Sequence, residues 1–206
     1  MSDTVRVLST LALKGAVHDL TSQYQAAGGA RIDADFAPTL VLLERLRAGE
    51  AADVAILTRE GLDEAAREGR VVADSCVDLA RSWVGVAVRA GEPHPDIGTE
   101  AALRAALLGA RSVAYSRLGA SGILFAKLIE RLVSGEADLA VQQISELKQT
   151  GGIEVVGPIP YELQTSAVFS AGRMAATNTP AEADQLLRFL ASPEVAPALR
   201  ESGLEP

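Results

Sequence analysis

The chain has 206 residues, a net charge of −8 and 48% hydrophobic residues, enough for one large or two small domains with ordinary cores. That acidity argues against general binding to nucleic acid or to an anionic membrane surface, and aromatics at 4% make stacking on bases or sugars a minor theme. Cys76 stands alone and His18 and His94 lie far apart, so an internal disulfide and the common metal motifs are excluded, and no metal or cofactor is expected.

The stretch VRVLSTLALKGA opens the fold. Val5, Val7 and Leu8 read as a buried strand, Ser9 and Thr10 place hydroxyls where it ends, and Ala12, Leu13, Ala16, Val17 and Leu20 recur at helical spacing. A strand feeding a helix presents backbone N–H groups that attract an anion, and open α/β sheets bind ligands at that edge. Lys14 adds a positive charge one turn into the helix. The plainer reading is that Ser9 and Thr10 only cap the helix.

Gly28-Gly29 ends this helix, and residues 30–36 read as a second strand. Residues 40–47 are helical, with Leu42, Leu43 and Leu46 inward and Thr39 at the N-cap; residues 52–57 form a third strand. This β-α-β-α-β order implies parallel strands with right-handed crossovers. Residues 58–69 make a charged helix with a solvated face, and residues 82–89 a longer apolar strand with Trp83 as packing. GEPHPDIG then gives the strongest domain-boundary signal. A second β/α unit follows: helix 99–108, strand 112–115, the polar turn SRLGAS and helix 122–132. Ser116, Arg117 and Ser121 repeat the opening logic of hydroxyls and a cation at a strand-to-helix turn. The strand in GEADLAV leads to Gln142 and Gln143, which point in opposite directions, so one of the two faces a ligand. Strands at 153–156 and 163–170 and two proline-started helices, 180–191 and 193–200, close the chain.

The N-terminus MSDTVRVLST carries no basic n-region, apolar h-region or small-residue cleavage site. Read as it stands, the chain is expected in the cytoplasm, or in the periplasm if a signal peptide has been removed. No run of about 18 apolar residues suggests a membrane span.

The segments VLSTLALKGAVHDL, DFAPTLVLLERLRAGEAADVAIL, SWVGVAVRAGEP, VSGEADLAVQQI and PAEADQLLRFLASPEVAPALRESGL run across nearly the whole chain. Together they resemble the type 2 periplasmic solute-binding proteins, in the molybdate-binding-protein-like branch. The resemblance implies an α/β fold of two lobes, each a mainly parallel sheet flanked by helices, joined by two crossover strands with a ligand clamped between them. Residues 1–86 plus 168–206 are expected to form lobe one and residues 87–167 lobe two. An ABC transporter membrane component is the partner the resemblance implies.

The ligand positions depart from the molybdate pattern. The first serine position falls on Ala12, the second on Thr39, and the tyrosine after the GEAD strand on Gln143. Lys14, Arg117, Gln142 and Gln143 suit a small organic acid better than a tetrahedral metal oxyanion. By comparison with the usual βα repeat, roughly two dozen residues are missing between Leu132 and Val133.

Two functions remain open. A receptor for a small anion needs no catalytic residue, and no G-x-S-x-G, H-E-x-x-H or Walker loop is present. The alternative is an isomerase of a tricarboxylic acid such as aconitate, which some proteins resembling this branch are. Lys14 would then be the base, if desolvation lowered its pKa. Glu146 is a weaker candidate, read as a surface helix residue. A ligand-sensing domain detached from a regulator is a third possibility, but the chain has no DNA-binding segment.

Overall fold

The computed structural model describes residues 4–115 and 131–206. Strand β1 (Thr4–Ser9) starts where the apolar run starts and pairs in parallel with β2 (Arg31–Phe36) on one side and β3 (Val54–Thr58) on the other. Its alternation divides two cores. Val5 and Val7 pack with Leu13, Val17 and Leu20 of the first helical stretch and with Leu186, Leu190 and Leu199 near the C-terminus. Leu8 lies on the opposite face, with Leu42, Leu43, Leu46, Leu57 and Leu62. The first sheet is therefore covered by α1 (Lys14–Ala26), α6 (Pro180–Leu190) and α7 (Ala196–Glu201) on one face. Helices α2 (Thr39–Arg47) and α3 (Arg59–Arg67) cover the other. The chain leaves α1 through Gly28 at φ +85°, a left-handed conformation that glycine adopts without strain.

This sheet has six strands in the order β10-β4-β9-β3-β1-β2, with β10 the short C-terminal strand Leu204–Glu205. It is mixed, because β9 (Ala167–Arg173) runs antiparallel to β3. Strand β4 (Val77–Ser82) is absent from the sequence reading; VDLARS carries two charges in six residues and shows no long apolar run. Ser82 belongs to β4, and β5 (Val84–Arg89) starts two residues later.

The second sheet has the order β6-β7-β5-β8. Strand β6 (Val113–Tyr115) is parallel to β7 (Leu139–Gln143), whereas β5 is antiparallel to both β7 and β8 (Ile153–Pro158). Both sheets are thus mixed, where mainly parallel ones were expected. One face packs Ala87, Ala114, Leu132, Ala140 and Leu147; the other packs Val86, Val88 and Leu139 with Leu103 of α4 (Glu100–Gly109).

The chain divides into two compact units, Met1–Arg81 with Ala167–Pro206, and Ser82–Ser166. GEPHPDIG, read as a boundary, is instead the β5–α4 connection inside the second unit. The strand expected from Leu163 starts at Ala167. Tyr161–Leu163 forms a 3₁₀ turn, and the Gln164 side chain takes over the ladder. Its amide nitrogen donates to the Val84 carbonyl (2.7 Å) while its oxygen accepts from the Val84 N–H (3.1 Å).

Candidate functional site

In the first unit, parallel pairing brings the C-terminal ends of β1, β2 and β3 to one edge. Ser9 is level with Phe36 and with Ile56. The Ala37 N–H donates to the Ser9 carbonyl (3.1 Å) and the Thr10 N–H to the Ile56 carbonyl (2.9 Å), which ties the three ends together. Ser9 is fully buried and its hydroxyl donates to the Thr10 carbonyl (3.2 Å). Thr10 occupies the N-cap of the 3₁₀ turn Leu11–Leu13 but its side chain makes no capping bond, so the plain capping reading does not hold for it. Lys14, the first residue of α1, is exposed. Ala12, at the expected serine position, is buried.

Thr39 is the first helical residue of α2 rather than its N-cap; Pro38, in an extended conformation, takes that place. The Thr39 hydroxyl accepts from the Thr58 N–H (3.3 Å). Thr58, read from the sequence as the first residue of the charged helix, is its N-cap and accepts from the Gly61 N–H (3.3 Å). The three groups meet because Gly61 lacks a side chain. A Cβ there would lie 2.6 Å from Thr39 Cγ2. Ser9, Thr10, Thr39 and Thr58 therefore share one edge of the first sheet.

In the second unit, Gln142 and Gln143 are the last residues of β7 rather than residues following it. Gln142 is level with Gly85 and Gln143 with Val84, so their side chains take opposite faces. Helix α5 (Ile144–Leu147) folds back onto the Gln142 face: a Cβ on Gly85 would meet Ile144 Cγ1 at 2.5 Å. The Ile144 N–H donates to the Trp83 carbonyl (2.9 Å), and the buried hydroxyls of Ser82 and Ser145 lie 3.0 Å apart.

Polar atoms without partners collect at this strand end. Gln142 Nε2, Gln143 Oε1 and Glu146 Oε2 are each buried and unbonded, although Gln142 Oε1 accepts from the Gln143 N–H (3.0 Å). Glu146 was read as a surface residue; burial instead pushes its carboxyl up to about 7. No sequence signal separates it from a solvated glutamate, because four helical residues are too few to show a periodic face. Ser116, Arg117 and Ser121 lie outside the described residues. Among the described residues no group of three His, Cys, Asp or Glu side chains is placed to hold a metal ion.

Sheets flanked by helices, with hydroxyls and amides at the strand ends, define the α/β fold of the type 2 periplasmic solute-binding proteins, the molybdate-binding-like kind. The periplasmic molybdate-binding protein of Azotobacter vinelandii superimposes with a TM-score of 0.77 at 16% identity, over 98% of this chain and 99% of that one. The L-phospholactate-bound protein PEB3 superimposes with a TM-score of 0.66 at 15% identity, over 98% and 99%. By sequence, the chain matches the bacterial extracellular solute-binding protein family over residues 5–132 and 125–205, and it belongs to that family. It is 34% identical to the aconitate isomerase of a Pseudomonas species, over 98% of this chain and 88% of that protein. That alignment has 231 positions against 206 residues here, so at least 25 of them are gaps in this chain. The two family matches meet at residues 125–132, where the short passage near Leu132 was noted.

Proposed function

We propose that this protein is a transport receptor for a small organic acid, with Ser9, Thr10, Lys14, Thr39, Ser116, Arg117, Ser121, Gln142 and Gln143 as the candidate contacts. The observation that carries the reading is the unpartnered donor of Gln142 and the unpartnered acceptor of Glu146, both buried at the end of β7. A fully deprotonated oxyanion offers no hydrogen to an acceptor, whereas a hydroxy acid or a partly protonated carboxylic acid offers both kinds of group. An ABC transporter membrane component is the proposed partner and the periplasm the proposed location. The extracellular family supports that location, and no described helix is long and apolar enough to cross a membrane.

The test is a thermal-shift panel of di- and tricarboxylates, molybdate and sulfate. A ligand at 100 times its dissociation constant adds about 2.7 kcal/mol. The reading expects the largest shift from an organic acid; a shift with molybdate or sulfate alone overturns it. Lys14→Ala and Arg117→Ala are each expected to weaken binding ten- to a hundredfold, the size of a charge-assisted hydrogen bond of about 1.5–3 kcal/mol.

The 34% identity to an aconitate isomerase favours a second reading, proton transfer on a bound tricarboxylate. Incubation with aconitate in heavy water separates the two. Deuterium appearing at the carbon next to a carboxylate supports an isomerase, and binding without exchange supports a receptor.

A further inference from the structure

Gln142 and Glu146 lie on the same face of the second sheet. Gln142 is level with Gly85, and the space above Gly85 is filled by Ile144 of α5, the helix that carries Glu146. Each residue ends in a buried atom without a partner, a donor on Gln142 and an acceptor on Glu146. An unpaired buried polar atom is costly, so two of them on one face within five residues destabilise the fold unless a ligand meets them. The helix holding Glu146 is fastened by the Ser82–Ser145 hydroxyl pair and by the Ile144 bond to Trp83. The helix backbone that carries Glu146 is therefore fixed against the sheet.

Among the described residues, the charged side chains on the strands packed against this helix are engaged with other groups. Helix α5 packs on β5, β7 and β8. Strand β7 carries no charged residue. Arg89 of β5 is paired with Glu92, and Glu154 of β8 accepts from the Gly91 N–H and bonds His94. Lys148, the residue after this helix, makes an interaction of its own. Among the described residues, burial is the cause that raises the Glu146 carboxyl.

We propose that Glu146 and Gln142 form a carboxylate-recognition subsite in which Glu146 is protonated as the ligand binds, so that one ligand oxygen accepts from both the Glu146 hydroxyl and the Gln142 amide. This deepens the organic-acid reading and rests on it. The proton comes from solvent and stays on Glu146, and no covalent bond in the ligand changes.

Citrate binding to the full chain is measured by titration calorimetry at pH 7 in two buffers of different ionisation enthalpy, then at pH 8. With the free carboxyl titrating near 7, the expected result at pH 7 is uptake of about half a proton per citrate bound, with affinity falling about fivefold by pH 8. Glu146→Gln keeps an amide donor and is expected to bind citrate with uptake abolished and the pH dependence flattened. Citrate binding by the native chain with no proton uptake overturns the subsite and leaves the receptor reading standing. Uptake unchanged in Glu146→Gln does the same. Failure of the native chain to bind any di- or tricarboxylate overturns both.

Discussion

Ser82 and Ser145 meet with their hydroxyl oxygens 3.0 Å apart, one at the end of β4 and the other in the four-residue helix after β7, at 1% and 0% exposure. Sixty-three residues separate them in sequence. Removing either partner leaves a hydroxyl buried and unbonded, so Ser82→Ala and Ser145→Ala are each expected to cost about 1–3 kcal/mol. The double variant should cost less than the two single losses together, because neither hydroxyl then remains. Chemical denaturation of the four proteins measures the coupling, and strict additivity would show that the pair contributes nothing.

Gly85 fixes how closely the same helix approaches the sheet. A methyl group there would stand 2.5 Å from Ile144 Cγ1 and 2.8 Å from the Gly157 carbonyl oxygen. The side chain can yield but the backbone carbonyl cannot. Gly85→Ala is expected to destabilise by about 1–3 kcal/mol. Adding Ile144→Val should leave most of that loss in place, as read from denaturation midpoints.

Gly61→Ala tests the first unit in the same way, with a different rescue. Its Cβ would lie 2.6 Å from Thr39 Cγ2 and 3.3 Å from Thr58 Oγ1. A loss of about 1–3 kcal/mol is expected. Thr39→Ser in the same chain removes the clashing methyl and keeps the hydroxyl that Thr58 uses, so it should restore stability, whereas Thr39→Val should not.

The buried Glu146 carboxyl makes stability depend on pH in a direction opposite to most carboxylates. Its folded pKa, about 7, lies above its ordinary value of 4.5. Between those values the folded state binds more protons than the unfolded state, so this group's contribution to stability falls as pH rises from about 4.5 and is fully unfavourable above about 7. The shift corresponds to about 3 kcal/mol. Without ligand, Glu146→Gln is therefore expected to gain stability relative to the native chain at pH 8 and little at pH 4, in thermal melts at both pH values.

The first strand and helix were legible because Val5, Val7 and Leu8 give a continuous apolar run and Leu13, Val17 and Leu20 recur at helical period. Parallel pairing of β1 with β2 and β3 follows from their alternation with helices. What could not be read comes from tertiary contacts. Strand β4 is held partly by Asp78, which accepts from the buried Ser170 hydroxyl at 2.6 Å, a bond across 92 residues. Gln164 completes a ladder with its side chain, which no backbone pattern shows. The strand-end glutamines were legible as candidates from the resemblance. The burial of Glu146 was not, because it depends on a missing side chain at Gly85, sixty-one residues earlier.

The place of β9 in the first sheet bears on how the chain is made. Strands β1, β2 and β3 can pair as soon as they leave the ribosome, but β4 reaches the sheet through β9, whose residues are synthesised after the whole Ser82–Ser166 unit. Until Arg173 has emerged, the inner edge of β3 carries open backbone groups, the kind of edge that pairs with other chains. A nascent chain halted anywhere in the second unit therefore exposes the edge of β3 from Val54 to Thr58 until β9 covers it.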